Sequence, residues 1–164
     1  MQVHNLLDWE AHLPVLREWK NEGRIRYLGV THYAHRAFGD LERLVRTEAL
    51  DFVQLPYNVA DREAEARLLP AARDTGTAVL VMQPLGEGSL FRRVRKEPVP
   101  GWAKDAGFAS WAELFLAFVL AHPAVTCAIP ATSSPEHVAE NVAAGIAPVL
   151  DEDGGRRLIE RCGS

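Results

Sequence analysis

Apolar residues recur along this chain in two alternating rhythms. Short β-branched and apolar runs stand in MQVHN at the start, IRYLGVT from Ile25, LDFVQL from Leu50, TAVLVM from Thr77 and AVTCAIP from Ala124. Runs of that length bounded by Gly, Pro, Asn or Asp predict strands. Between them apolar positions return every three or four residues, the signature of one helix face. Trp9, Leu13, Leu16 and Trp19 form the first such face, closed by the stop Asn21-Glu22-Gly23. Phe38, Leu41, Leu44 and Val45 form the second, within residues 36–47. Ala64, Leu68, Leu69 and Ala72 form the third, ahead of Asp74-Thr75-Gly76. Residues 110–120 are apolar and halt before Pro123, and Pro135 after Ser133-Ser134 opens a last helix with an acidic first turn.

The order is therefore strand, helix, strand, helix. Strand centres near Val3, Gly29, Val53 and Leu80 recur at about 26 residues, the length of a βα unit. Near-continuous apolar strands separated by helices predict a parallel sheet covered by helices. The fifth strand is delayed by an insertion at 87–107, which carries glycines, prolines and basic residues. Long excursions of this kind are where α/β proteins place binding loops. Two architectures satisfy the rhythm: an open doubly wound sheet, or part of a (β/α)8 barrel. No G-x-G-x-x-G follows an early strand and no G-x-x-x-x-G-K-[ST] occurs, which weakens both common phosphate-loop folds. His4, Thr31, Gln54, Gln83 and Thr132 each lie at or just past the C-terminal end of a strand. In a barrel those ends converge on the face that carries chemistry, so the polar pattern favours the barrel.

Composition narrows the partners. At 164 residues, 48% hydrophobic and 24% charged, the chain is one globular domain, 1–164. A formal charge of −4 argues against a nucleic-acid partner. The one basic cluster, FRRVRK at 91–96, reads as a solvated loop or helix face before an anion site. Cys127 and Cys162 lack disulfide or metal-ligand spacing, and Cys127 in VTCAIP is expected to be a buried, inert thiol. No run reaches the roughly 20 apolar residues of a membrane span, and no charged leader precedes an apolar one; the expectation is a cytoplasmic protein without membrane or metal.

Taken singly, the polar candidates are ambiguous. His4 is either a structural hydrogen-bonding residue or a catalyst. Gln54 within an apolar strand is either satisfied in the core or paired with a ligand. Thr31-His32 is a turn or cap as readily as a contact. QPLGEG lets a backbone approach a phosphate, and TSSPEHVAEN sets polar groups at a helix start that attracts anions or is merely capped.

Together they are more specific. EGRIRYLGVTHY, DFVQLPYN, VLVMQPLGEG and HPAVTCAIPATSSPEHVAENVAA resemble the aldo-keto reductase family, in the order and at the intervals of its strands four to eight. MQVHN is similar to the fourth strand, and the likeness covers nearly the whole chain. It implies a partial TIM barrel of about five parallel strands with flanking helices. It also implies that three N-terminal βα units, which in the family carry the catalytic aspartate, tyrosine and lysine, lie outside this sequence.

The resemblance further implies an NAD(P)H-dependent oxidoreductase reducing aldehydes and ketones, small carbonyl compounds, to alcohols. His4 matches the histidine that polarises the carbonyl. Thr31, His32 and Gln54 match the residues holding the nicotinamide carboxamide. Met82 falls where many members stack an aromatic ring on the nicotinamide. Gln83, Leu85 and Gly86 match the loop along the pyrophosphate, and Thr132, His137, Glu140 and Asn141 match the adenosine end. The family prior is NADP(H), but Ala131 and His137 stand where many members have lysine and arginine, so NAD(H) is also expected. Of Tyr27, Tyr33 and Tyr57, none is paired with a lysine in the way the family's proton donor is. The chain alone is expected to be nearly inactive and to self-associate through unpaired sheet edges. The alternative reading is a non-catalytic nucleotide-binding or association module that completes a barrel with a partner chain.

Overall fold

The computed structural model describes residues 1–163. The five strands are β1 (Gln2–Val3), β2 (Gly29–Thr31), β3 (Phe52–Pro56), β4 (Ala78–Met82) and β5 (Cys127–Ala128). They form one sheet in sequence order, every neighbouring pair parallel. Helices α1 (Trp9–Asn21), α2 (Phe38–Thr47) and α3 (Leu68–Thr75) fill the first three crossovers. The fourth holds α4 (Ser89–Arg93), α5 (Gly101–Asp105) and α6 (Trp111–Ala121), and α7 (Pro135–Ala144) and α8 (Glu152–Cys162) follow β5. This is an α/β fold built as five successive units of a (β/α)8 barrel. Among the described residues no helix is long and apolar enough to cross a membrane.

The sheet's two faces differ. Val3, Val30, Val53, Leu55, Val79 and Val81 point at the helices and are at most 5% exposed. The alternate residues Phe52, Gln54, Ala78, Leu80 and Met82 are half-buried, because no layer covers that inner face. Strand side chains alternate between faces, so the pattern follows from the period of two. Gly29 on the inner face has no alternative: a Cβ there would stand 2.2 Å from the Phe52 carbonyl oxygen.

Both margins of the sheet are apolar at the surface. Leu7 and Val15 are exposed beside β1, and Val138, Val142, Ile146 and Val149 are exposed on and after α7.

Several expectations need correction. The strand expected from Ile25 is confined to Gly29–Thr31, because the Ile25 N–H turns back to the Trp19 carbonyl and extends the end of α1. The 87–107 insertion is not loop throughout, since it folds into α4 and α5. In its basic cluster Arg93 donates to the carbonyls of Cys162 (2.6 Å) and Gly163 (3.2 Å) at the end of α8. Cys127 is half-buried, and it is Cys162 that is buried, where desolvation raises its thiol pKa. Helix α8 was not expected at all. Its first turn contains Gly154-Gly155, poor helix formers, but Asp151 caps it by accepting the Gly154 N–H at 2.7 Å. Gly154 is also packed where a Cβ would lie 2.6 Å from Leu150.

Asp51 ties three elements at the start of β3. Both its oxygens lie 2.6 Å from Lys20 Nζ on α1, and Oδ2 accepts the Leu28 N–H at 2.8 Å just before β2. Burial alone would raise the carboxyl's pKa, but these hydrogen bonds outweigh it and hold the value below the usual range. A depressed folded-state pKa contributes stability that is whole above the unfolded value and fades as pH falls through the folded one. Asp51→Asn is therefore expected to lower stability at neutral pH and to flatten its fall below about pH 4; urea midpoints across pH 2.5–7 would check this. The two sheet faces give a second expectation. Leu55→Ala, on the helix side, should cost about 2–5 kcal/mol, and Leu80→Ala, on the uncovered side, less than half as much, both read from urea unfolding.

Candidate functional site

Because every strand runs the same way, the strand ends deliver their polar residues to one rim. His4 follows β1, Thr31 ends β2, Gln54 lies near the end of β3, Met82 ends β4, and Thr132 comes just past β5. The rim carries two groups of residues.

The first group sits over β1–β3. Thr31 is 1% exposed and its Oγ1 has no hydrogen-bond partner. Such an orphan is uncommon in a folded interior and suits a ligand polar atom. Gln54 is Thr31's register partner, and its Oε1 accepts from Gln2 Nε2 at 3.0 Å. That reach passes over Gly29, which has no side chain to block it. The Gln54 NH2 has no partner among the described residues. His32 Nδ1 accepts the Ala34 N–H at 3.0 Å, so the neutral ring carries its proton on Nε2. Burial, followed by the nearby charges of Arg36 and His4, lowers its pKa against the opposing pull of Asp40. His32 is thus a neutral donor at pH 7, stacked on the exposed Tyr33 at 5.4 Å. His4 itself is exposed and lines a shallow groove with Leu7 and His12 between β1 and α1.

The second group is a cleft of about 590 Å³ between the β4 loop and α7. Met82, Gln83 and Leu85 form one wall, and Thr132, His137, Glu140 and Asn141 the other. Phe91 from the insertion also lines it, as do Glu87 and Gly88. Gly86 does not line the cleft but shapes it. Gln83, Gly86, Glu87 and Gly88 all have φ between 52° and 81°, a left-handed strap. Non-glycine residues rarely hold that conformation unless the surroundings impose it. Asn58 does so here: its Nδ2 donates to the Gln83 carbonyl at 3.0 Å, while its Oδ1 accepts the N–H groups of Ala60 and Asp61. Gln83 Nε2 then donates to Glu87 Oε1 across the strap at 2.9 Å. Opposite, Thr132 Oγ1 accepts the Ser134 N–H and lies 3.3 Å from His137 Nδ1 at the start of α7.

Asn58 escaped the sequence reading. Its signal is a polar residue right after Pro56-Tyr57, 4% exposed in the structure. Tyr57 has a structural task. It is 1% exposed, and its hydroxyl donates at 2.7 Å to Glu65, which Arg62 clamps at 3.0 and 2.6 Å. Burial, then the bond to Glu65, drives its pKa far above the ordinary phenol value, so it holds its proton. Tyr27 and Tyr33 are exposed. Among the described residues no three His, Cys, Asp or Glu side chains cluster to hold a metal ion.

The arrangement is suited to a long ligand with a planar amide at one end. An orphan hydroxyl, a free amide NH2 and an imidazole N–H offer the hydrogen bonds that a carboxamide requires, so these residues fit a nicotinamide. The strap and cleft extend from there.

Known proteins resemble this one over the same stretch. An NADH-specific methylglyoxal reductase of Escherichia coli (strain K12) is 37% identical over 90 residues, which cover 55% of this chain and 27% of that protein. Pyridoxine 4-dehydrogenase of the same organism is 29% identical over 135 residues, covering 82% of this chain and 44% of that protein. The crystal structure of an aldo/keto reductase from Klebsiella pneumoniae, in complex with NADP and acetate, superposes with a TM-score of 0.75 at 27% identity. It is matched over 98% of this chain and 57% of its own. The chain thus spans about half or less of the curated relatives' length. The model of the Aldo/keto reductase family matches residues 3–158, and the chain belongs to that family.

Proposed function

We propose that this chain forms the cofactor-holding part of a cytoplasmic NAD(P)H-dependent oxidoreductase that reduces small aldehydes and ketones to alcohols. The observation that carries the reading is the buried, partnerless Thr31 hydroxyl beside the free amide of Gln54. When bound, the nicotinamide supplies a hydride. The chain's residues fix where that hydride points. Thr31, His32 and Gln54 hold the carboxamide and thereby choose the ring face, Met82 packs on the ring, and Gln83, Leu85 and Gly86 seat the pyrophosphate. Thr132, His137, Glu140 and Asn141 receive the adenosine end. His4, at the end of β1, hydrogen-bonds the substrate oxygen as negative charge develops on it.

Proton delivery is the weak link. Tyr57 is committed to Glu65, and among the described residues no tyrosine is paired with a lysine that would ready it to protonate the alkoxide. General acid catalysis contributes about 10²–10⁴-fold, so turnover by this chain alone is expected to fall short by that order.

A second reading has an observation of its own. The uncovered inner face and the apolar margins at Leu7 and Val15, and at Val138 and Val142, favour association with another chain that completes a barrel. In that case the chain is a nucleotide-binding module without its own turnover. Sedimentation at micromolar concentration is expected to give a dimer or larger species, and a clean monomer would count against association.

Fluorescence titration of the purified chain with NADH and NADPH tests the main reading, with binding expected for at least one. Thr31→Val supplies a sharper check. It should weaken binding about 2- to 12-fold, the equivalent of a net hydrogen bond of about 0.5–1.5 kcal/mol, while leaving thermal stability unchanged or raised, because the orphan is removed. Unchanged affinity in that variant would sink the assignment of the carboxamide.

A further inference from the structure

Gln2 opens β1, and its side chain makes a bond that skips a strand. Its partner Gln54 belongs to β3, and β2 lies between the two. Two strand spacings amount to roughly 9–10 Å. Only long side chains reaching toward each other close such a gap, and only over a position where nothing stands. Gly29, the register partner of Gln2, is that position. Any Cβ there would run into Phe52, so β3 itself keeps the lane between the glutamines empty. Along it Gln2 Nε2 reaches Gln54 Oε1 at 3.0 Å.

The bond decides which end of Gln54 is left for a ligand. A side-chain amide has an acceptor end and a donor end of nearly the same shape. With its oxygen engaged by Gln2, Gln54 keeps an NH2 that has no partner among the described residues. The reverse pairing, Gln54 donating to the Gln2 oxygen, would put the Gln2 NH2 where Gln2 Oε1 now lies buried and unpartnered. Interiors tolerate an under-satisfied carbonyl better than an orphaned N–H, which favours the observed polarity. His32, whose backbone N–H donates to the Gln54 carbonyl at 3.3 Å, brings a second donor in its Nε2–H. Two such donors suit the oxygen of a carboxamide and not its NH2.

We propose that Gln2 is a positioning residue, which acts through Gln54 by holding its oxygen so that its NH2 meets the carbonyl oxygen of the carboxamide. The inference rests on the reading of Thr31, His32 and Gln54 as a nicotinamide site. Reduced 3-acetylpyridine adenine dinucleotide tests it, because that analogue keeps the ring carbonyl and carries a methyl group in place of the NH2. The ratio of its Kd to that of NADH, from calorimetric titration of the full chain, reports which end of Gln54 faces the ring. Gln2→Met keeps the length of the side chain and removes the donor, and it should weaken NADH at least about threefold, the scale of a net hydrogen bond. Gln2→Glu should reverse the polarity at about pH 8.5, above the usual carboxyl range. Its carboxylate accepts from the Gln54 NH2 and turns the Gln54 oxygen to the ligand, where NADH has an N–H to offer and the analogue has none. The ratio should therefore rise at least about threefold over that of the unsubstituted chain. Thermal melts of both variants verify folding. NADH affinity unchanged in Gln2→Met overturns the inference. So does a Gln2→Glu chain that loses both ligands by one common factor, since that marks a structural residue only. Either result leaves the nicotinamide site standing. Binding of neither ligand by the unsubstituted chain overturns the underlying reading, and this inference with it.

Discussion

The site depends on one constraint, the common direction of the strands. Parallel pairing in sequence order forces each connection to return along a helix before the next strand begins. It follows that five C-terminal strand ends lie side by side, and that residues tens of positions apart meet without any loop reaching for them. Thr31 and Gln54 are register partners across the β2–β3 ladder, and Pro56 and Met82 across β3–β4. The helix-facing valines and leucines hold that ladder in place. Reversing any one strand would send its polar end to the opposite edge and dismantle the rim.

Much of this was legible in the sequence, for a physical reason. Strand and helix periods are local properties, and each strand centre fell where its apolar run placed it. The stops were local too: Gly76, with φ of 71°, caps α3 where Asp74-Thr75-Gly76 announced an end, and Ser134 caps α7 ahead of Pro135. The reading failed where tertiary contacts decide. Gly154-Gly155 look like a break, yet a cap from Asp151 and the burial of Leu158 and Cys162 make a helix of them. Pro98 and Pro100 made 87–107 look like loop and hid the short helices on either side of them. Asn58 was missed because its decisive partner, the Gln83 carbonyl, lies 25 residues away and is a backbone atom. The roles of individual site residues came from resemblance, not periodicity, and the geometry supplies what neither could. Thr31 is orphaned, Gln54 has an occupied oxygen and a free NH2, and Tyr57 is locked.

The cleft and the cluster over β1–β3 differ in how they gain specificity. Within the cluster the Thr31 hydroxyl is closed to water, so leaving it unsatisfied is a standing cost that a hydrogen-bonding ligand would relieve. The cleft is more open, and its walls act through charge and shape.

Asn58 ties the strap after β4 to the loop after β3 with three hydrogen bonds from a single buried amide. The strap is consequently held in register with β3, the strand that carries Gln54. For a ligand long enough to reach both the cluster and the cleft, the second contact would form at the high effective concentration that tethering confers.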